Sequence, residues 1–197
     1  MYKYKIFNNI APEGTDYLVK ENFMLNEEEP EALLLRSKVL TENNFNDQLL
    51  CIGRAGAGVN NIPIDIASER GVVVFNTPGA NANAVKELVL CGLLLSSRGI
   101  IQGNSFAKSL AVDEASEFNS KIEKEKKNFK GSELNGKILG VVGLGAIGSM
   151  VAQSADALGM KLVGFDPYIS IDAAWRLPKE VQKANSIEEL VGCSDFI

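Results

Sequence analysis

The hexad Gly143-Leu144-Gly145-Ala146-Ile147-Gly148 stands between two segments of opposite periodicity. Before it, Lys137-Ile138-Leu139-Gly140-Val141-Val142 is a short run rich in β-branched residues, bounded by turn signals, which reads as a strand. After it, Ser149 to Leu158 has helical spacing and stops at Gly159. Lys161 to Phe165 is a second strand, closed by Asp166-Pro167. A glycine triplet of this spacing means little alone. Wedged between a strand and a helix, with a further strand following, it commits the chain to a βαβ unit and a parallel sheet.

Each glycine has a separate physical task. Gly143 makes the tight turn out of the strand, Gly145 lets a ligand approach the backbone, and Gly148 lets the helix pack closely on the strand. The start of the helix carries unpaired N–H groups and partial positive charge, which suits a diphosphate. Asp166 stands 18 residues after Gly148, where a carboxylate accepts hydrogen bonds from ribose hydroxyls and repels a 2′-phosphate. No arginine follows it directly, so the expected cofactor is NAD rather than NADP. Gly143, Gly145, Gly148 and Asp166 are its candidate ligands.

The N-terminal half repeats the same rhythm. Lys5–Phe7, Ala32–Leu35, Leu49–Gly53 and Val72–Phe75 read as strands, and Pro12–Lys20 and Ile64–Arg70 as helices, the second stopped by Gly71. Val72–Phe75 leaves into the turn cluster Asn76-Thr77-Pro78-Gly79. A helix from Asn83 to Arg98 is apolar almost all round, which predicts burial between layers or domains. Residues 104–131 interleave six lysines and five acids with Phe106, Leu110, Phe118, Ile122 and Phe129, the pattern of a solvated helical arm with one apolar edge. Ser186 and Glu189 have capping-box spacing before a helix to Val191, and Ser194–Ile197 opens another strand. The expected organisation is a first domain over 1–98 and a second over 99–197.

Two arginines follow predicted strands, Arg36 after Ala32–Leu35 and Arg54 after Leu49–Gly53. Both therefore belong at the carboxyl edge of a parallel sheet, where ligands of such sheets bind. Guanidinium groups there suit a phosphate or carboxylate gripped through two hydrogen bonds. Gly56-Ala57-Gly58 follows Arg54 and frees backbone N–H groups for an anion nest. Arg36, Arg54, Gly56 and Gly58 form a candidate substrate site. Taken singly, each arginine reads rather as a surface salt-bridge partner; together, with the glycine loop beside Arg54, they favour the substrate site.

Composition removes whole classes of chemistry. There is no histidine, so a Ser-His-Asp triad, an HExxH metal site and a histidine general acid are all absent from these residues. The three cysteines, Cys51, Cys91 and Cys193, are too far apart in sequence for metal-ligand spacing. They read as reduced, buried thiols of a cytoplasmic protein. A net charge of −5 supplies no global field for nucleic acid or an anionic membrane. The longest apolar stretch near mid-chain, Leu88–Leu95, is far short of the roughly 18 residues of a membrane span, and Met1–Ile10 has no apolar h-region.

Leu35-Arg36-Ser37, Gly53–Asn61 (GRAGAGVNN), Phe75–Gly79 (FNTPG), Glu133–Gly148 (ELNGKILGVVGLGAIG) and Gly164–Tyr168 (GFDPY) occur in one order along most of the chain. Together they resemble the D-isomer-specific 2-hydroxyacid dehydrogenases, most closely those acting on a small phosphorylated 2-hydroxy acid. The resemblance implies an α/β fold with a flavodoxin-like substrate domain and a Rossmann-type NAD-binding domain, both incomplete in this chain, with the substrate bound in a cleft between them. It implies that Arg36 and Arg54 hold the substrate phosphate and that the loop from Gly56 to Val59 meets the substrate carboxylate. Ala57, Ala146, Ile147 and Asp166 would line NAD, the helix after Asn83 would cross between domains, and the intact protein would be a homodimer through its coenzyme domain. Two departures stand out. Ala57 replaces a threonine of some members, and Ala146 replaces a frequent arginine, removing a cation near the pyrophosphate.

In this family an arginine, a glutamate and a histidine carry hydride and proton transfer, and all three would lie beyond Ile197. The expectation is an N-terminal portion of a longer polypeptide with no catalytic residue of its own. Alternatives are another D-2-hydroxyacid dehydrogenase acting on an unphosphorylated acid, or a non-catalytic NAD-binding module of the same superfamily.

Overall fold

A computed structural model describes residues 1–110 and 115–197. The chain divides into two compact units, Met1–Asn81 and Ala82–Ile197.

In the first unit the order is β1 (Tyr2–Ile6), α1 (Pro12–Lys20), β2 (Phe23–Leu25), β3 (Ala32–Leu35), β4 (Cys51–Arg54), α2 (Ile64–Glu69) and β5 (Val73–Phe75). The five strands pair in the order β2-β1-β3-β4-β5, all parallel. This is the flavodoxin-like order 2-1-3-4-5, which reverses direction of growth between β1 and β3. β3 is an unbroken apolar run because its two faces are both covered, as parallel strands require. Leu33, Leu35 and Ile52 are almost wholly buried, and Leu40, Phe45, Leu49 and Val72 close the core around them. Each large side chain buried in this way stabilises the unit by about 1.5–3 kcal/mol. β2 has no signature in the sequence: three residues at the sheet edge are too short for a period to show.

The second unit runs α3 (Ala82–Ser97), α4 (Ile100–Ser109), α5 (Ala115–Glu125), β6 (Ile138–Val142), α6 (Ala146–Ala157), β7 (Lys161–Phe165), α7 (Ile171–Ala174), β8 (Gln182–Lys183) and α8 (Ile187–Cys193). β6, β7 and β8 form a parallel sheet in that order. On the free side of β6, Phe196 bridges Leu139 in parallel, and the Gly140 N–H donates to the Phe196 carbonyl at 2.8 Å. The strand expected to open at Ser194 is thus present as a single bridge, giving the strand sequence 3-2-1-4 of a Rossmann half. β8 and α7 leave no clear signal in the sequence, since both are short and β8 is polar.

Several expectations need correction. α3 packs one face on α6, with Val89, Leu90 and Leu93 joining Val151, Ala152 and Ala155. It is not buried all round: Leu88 is 72% and Leu94 45% exposed, because the contact with α6 covers one strip only. α3 belongs by its packing to the second unit, whereas the sequence reading grouped it with residues 1–98. All three thiols are free, but only Cys51 is partly buried, and that burial raises its pKa. Cys91 lies on the open side of α3 and Cys193 in the last turn of α8, both exposed.

The lysine-rich arm over 104–131 is helical in α4 and α5, and its residues 111–114 lie outside the described residues. Its apolar edge is partly self-satisfied, with the rings of Phe106 and Phe129 5.3 Å apart. The capping box is offset by one residue. Ser186 Oγ accepts from the Glu189 N–H at 3.2 Å, while the Glu189 carboxylate accepts from the N–H of Asn185 at 2.7 Å. Among the described residues no helix is long and apolar enough to cross a membrane.

The Asp195 carboxylate accepts from the Ile138 N–H at 2.8 Å and lies 3.5 Å from Lys137 Nζ. The hydrogen bond first, and then the lysine, hold its pKa below the usual aspartate value. A depressed carboxylate pKa stabilises the ionised fold above the unfolded value and loses that contribution as pH falls through the folded one. Hydrogen exchange of the Gly140 N–H, which the 195–196 segment protects, is therefore expected to be slow near neutrality and to accelerate, relative to an Asp195→Asn variant, below the normal aspartate range.

Candidate functional site

In the first unit the strand pairing decides which side chains meet. β3 and β4 are in parallel register with Leu35 opposite Arg54, so the turn after β3 and the loop after β4 leave the sheet side by side. Arg54 Nε donates to the Arg36 carbonyl at 3.2 Å. The Arg54 guanidinium then runs beneath the glycine loop, where a Cβ on Gly56 would lie 2.7 Å from its Nη1 and one on Gly58 3.5 Å away. Gly56 has φ of 156°, at the border of the region L residues avoid, and any side chain there would strike the guanidinium. Glycine at 56 is what lets the arginine lie against the backbone.

Arg36 lines a cavity of about 370 Å³ with Asn9, Ile10, Ala11, Gly56, Thr77 and others. The cavity sits outside the carboxyl ends of β1, β3 and β4, at the reversal of strand order where ligands of open parallel sheets bind. Among the described residues, neither Arg36 nor Arg54 forms an ion pair. Two guanidinium groups without carboxylate partners, one of them beside a concave surface, can hold an oxyanion.

Sequence reasoning missed the side chains that shape this edge. Thr77 clamps the glycine loop: its Oγ1 accepts from the Gly56 N–H at 2.8 Å and its N–H donates to the Gly56 carbonyl at 3.0 Å. Asn76 Nδ2 donates to the Ala57 carbonyl at 2.7 Å. The sequence reading gives these two residues a turn and a place in the FNTPG segment, but no role in shaping the loop. Asn8, with φ of 71°, and buried Asn61 hold the turn after β3. An asparagine just beyond a strand end was the available signal for Asn8, since that residue is enriched at positive φ. Val59 begins the turn that closes through the Ile62 N–H to its own carbonyl at 3.0 Å. Ala57 and Gly58 are exposed on the loop.

In the second unit the glycine turn has the geometry its spacing implies. Gly143 has φ of 87°, which only glycine adopts without strain, and its N–H donates to the Phe165 carbonyl at 2.8 Å. A Cβ on Gly148 would meet the Gly143 carbonyl oxygen at 1.9 Å, so this glycine is fixed by close packing of α6 on the turn. Gly145 is different: φ is −70°, and a Cβ there would meet nothing in the chain. No side chain caps α6, whose first exposed positions are Ala146 and Ile147. The uncapped N–H groups and the open space over Gly145 leave a cradle for an anionic ligand.

Asp166 faces that turn. Its Oδ2 accepts from the Leu144 N–H at 2.8 Å and its Oδ1 from the Tyr168 N–H at 2.9 Å. Each oxygen keeps a lone pair. Beside it lies a cavity of about 400 Å³ lined mainly by apolar residues, Leu144, Phe165, Pro167, Ile169 and Val181 among them, and also by Lys183 and Asn185. A flat apolar group would fit this cavity while a hydroxylated neighbour reached the carboxylate. The structure thus brings Arg36, Arg54, Gly56 and Gly58 together in one unit, and Gly143, Gly145, Ala146, Ile147, Gly148 and Asp166 together in the other. Ala57, a candidate cofactor contact, lies with the first group. Among the described residues no cluster of carboxylates and cysteines has metal-site geometry.

Residues 12–189 match the family model described as D-isomer specific 2-hydroxyacid dehydrogenase, catalytic domain. The chain is 36% identical over 183 residues to a D-3-phosphoglycerate dehydrogenase of Methanocaldococcus jannaschii, covering 91% of this chain and 32% of that protein. It is 39% identical over 184 residues to the D-3-phosphoglycerate dehydrogenase of Rattus norvegicus, again covering 91% and 32%. The chain thus spans about a third of the length of these curated relatives. Among solved structures, the NAD+-bound 3-phosphoglycerate dehydrogenase of Entamoeba histolytica superposes with a TM-score of 0.68 at 25% identity, covering 98% of this chain and 60% of that one. The apo D-mandelate dehydrogenase of Rhodotorula graminis gives 0.72 at 24%, covering 98% and 64%.

The two glycines at the start of α6 are expected to separate experimentally. Gly148→Ala forces overlap with the Gly143 carbonyl and should cost about 1–3 kcal/mol. Gly145→Ala meets only open space and should stay within about 0.5 kcal/mol of the parent. Urea unfolding of both variants checks the pair.

Proposed function

The chain belongs to the D-isomer-specific 2-hydroxyacid dehydrogenases, and on that premise we propose that the native protein oxidises 3-phospho-D-glycerate to 3-phosphohydroxypyruvate with NAD. This is the reaction that opens phosphorylated serine synthesis. The observation that carries the substrate assignment is the pair of arginines, Arg36 and Arg54, held at one sheet edge by the Arg54–Arg36 hydrogen bond and free of carboxylate partners among the described residues.

In this reading Arg36 and Arg54 bind the phosphate, and the loop from Gly56 to Val59, held in shape by Thr77 and Asn76, receives the substrate carboxylate. The uncapped start of α6 takes the pyrophosphate. The space over Gly145 fits this role, because the cradle exists only while position 145 lacks a Cβ. The Asp166 carboxylate, held in place by two backbone N–H groups, accepts from the adenine ribose, and the neighbouring apolar cavity takes the base. NAD, when bound, supplies the hydride acceptor at nicotinamide C4. A carboxylate at the ribose disfavours a 2′-phosphate, which supports NAD over NADP.

The 197 residues include no histidine. By resemblance, the histidine that exchanges the substrate proton, its glutamate and the arginine that polarises the 2-oxo group are not among these positions. The chain alone is therefore expected to show no turnover, its share of the work being phosphate recognition and part of the dinucleotide pocket. A cytoplasmic location and a homodimer belong to the same proposal.

Arg36→Ala and Arg54→Ala in the native protein are each expected to raise KM for 3-phospho-D-glycerate by about 10- to 100-fold, the loss of a charge-assisted contact. Unphosphorylated 2-hydroxy acids should be affected far less. Equal effects on both substrates would favour an unphosphorylated acid as the true one. Gly145→Ala should weaken NAD binding in fluorescence titration without lowering stability, which separates a ligand role for this glycine from a packing role.

A further inference from the structure

Asn8 follows β1 in the left-handed region, at φ of 71°. Its Oδ1 accepts three successive N–H groups, those of Arg36 at 3.3 Å, Ser37 at 3.0 Å and Lys38 at 2.8 Å. On the carbonyl side of the same turn, Asn61 Nδ2 donates to the carbonyls of Arg36 at 3.3 Å and Lys38 at 2.7 Å. The turn that leaves β3 is therefore bound by its N–H groups to the segment after β1, and by its carbonyls to the segment before α2.

Three consecutive N–H groups that converge on one point form an anion nest. Here the point is occupied by a neutral amide oxygen. An anion at this edge finds no free backbone donor in that turn and is met instead by side chains, among them that of Arg36, a residue lining the cavity. We propose that Asn8 is the positioning residue for anion recognition: it fills the nest at Arg36–Lys38 and so fixes the turn that presents the Arg36 side chain. The inference rests on the reading of Arg36 as a phosphate ligand. Asparagine suits both requirements. It tolerates positive φ, and its acceptor is uncharged, so it does not repel the incoming anion. Aspartate would keep the acceptor but add a negative charge, and glycine would keep the φ but lose the acceptor.

The test uses the native protein with NAD and 3-phospho-D-glycerate, comparing Asn8→Gly, Asn8→Asp and Arg36→Ala. Asn8→Gly should raise KM about tenfold, as expected for losing hydrogen bonds that order a charged ligand, with kcat falling less than KM rises. Asn8→Asp should keep the melting temperature, because the three N–H groups stay satisfied, yet raise KM severalfold through its charge. In Asn8→Asp the turn stays held, so its KM rise reads the added charge beside the anion; a residue that only stabilised the fold would leave KM unmoved in Asn8→Gly. If Asn8→Gly does not fold, Asn8→Ser, whose shorter side chain cannot bond all three N–H groups, takes its place. KM within twofold of the parent in the folded Asn8 variants, with KM raised in Arg36→Ala, overturns the inference. An unchanged KM in Arg36→Ala overturns the phosphate reading and the inference with it.

Discussion

Parallel strand register is the constraint on which both candidate sites depend. A parallel sheet delivers the carboxyl ends of neighbouring strands to one edge, and whatever follows those ends is forced together. Leu35 opposite Arg54 makes Arg36 and the glycine loop neighbours. Val142 opposite Phe165 does the same for Gly143 and Asp166. Residues far apart in sequence meet because the ladder leaves them nowhere else to go. The cores that hold the ladders, Leu33–Leu35–Ile52 in one unit and Leu139–Leu162–Val151 in the other, therefore act on function through register.

The sheet edges are organised by neutral side chains more than by ion pairs. Asn8, Asn61, Asn76 and Thr77 all bond to backbone groups of the loops that would meet a ligand. The exceptions lie in the second unit, where the Glu189 carboxylate takes the Asn185 N–H after β8 and Asp166 takes those of Leu144 and Tyr168, at a place where a ribose rather than a phosphate is expected. The division has a physical sense. Neutral amides and hydroxyls shape a loop without spending the positive charge that the arginines offer an anion. An acidic residue in their place would draw the guanidinium groups into ion pairs.

Much of this was legible because it depends on local chemistry. β3 is an apolar run of the length a buried parallel strand needs, and its bounds match the reading residue for residue. The glycine turn announced itself by spacing, and Gly148 meets the Gly143 carbonyl as close helix–strand packing demands. What escaped was non-local. β2 and β8 are too short to carry a period and exist because a longer strand lies beside them. Asn8 bonds to a turn 28 to 30 residues away, which no spacing rule detects. α3 misled in the other direction. Its composition indicates burial on every side, but α6 covers one strip and leaves Leu88 and Leu94 open.

The most direct measurement is a crystal structure of the native protein with 3-phospho-D-glycerate bound. The account expects the phosphate within hydrogen-bond distance of the guanidinium groups of Arg36 and Arg54, with the Asn8 amide still beneath the turn at Arg36–Lys38. A phosphate held elsewhere, with both arginines turned to solvent or paired with carboxylates, would contradict it.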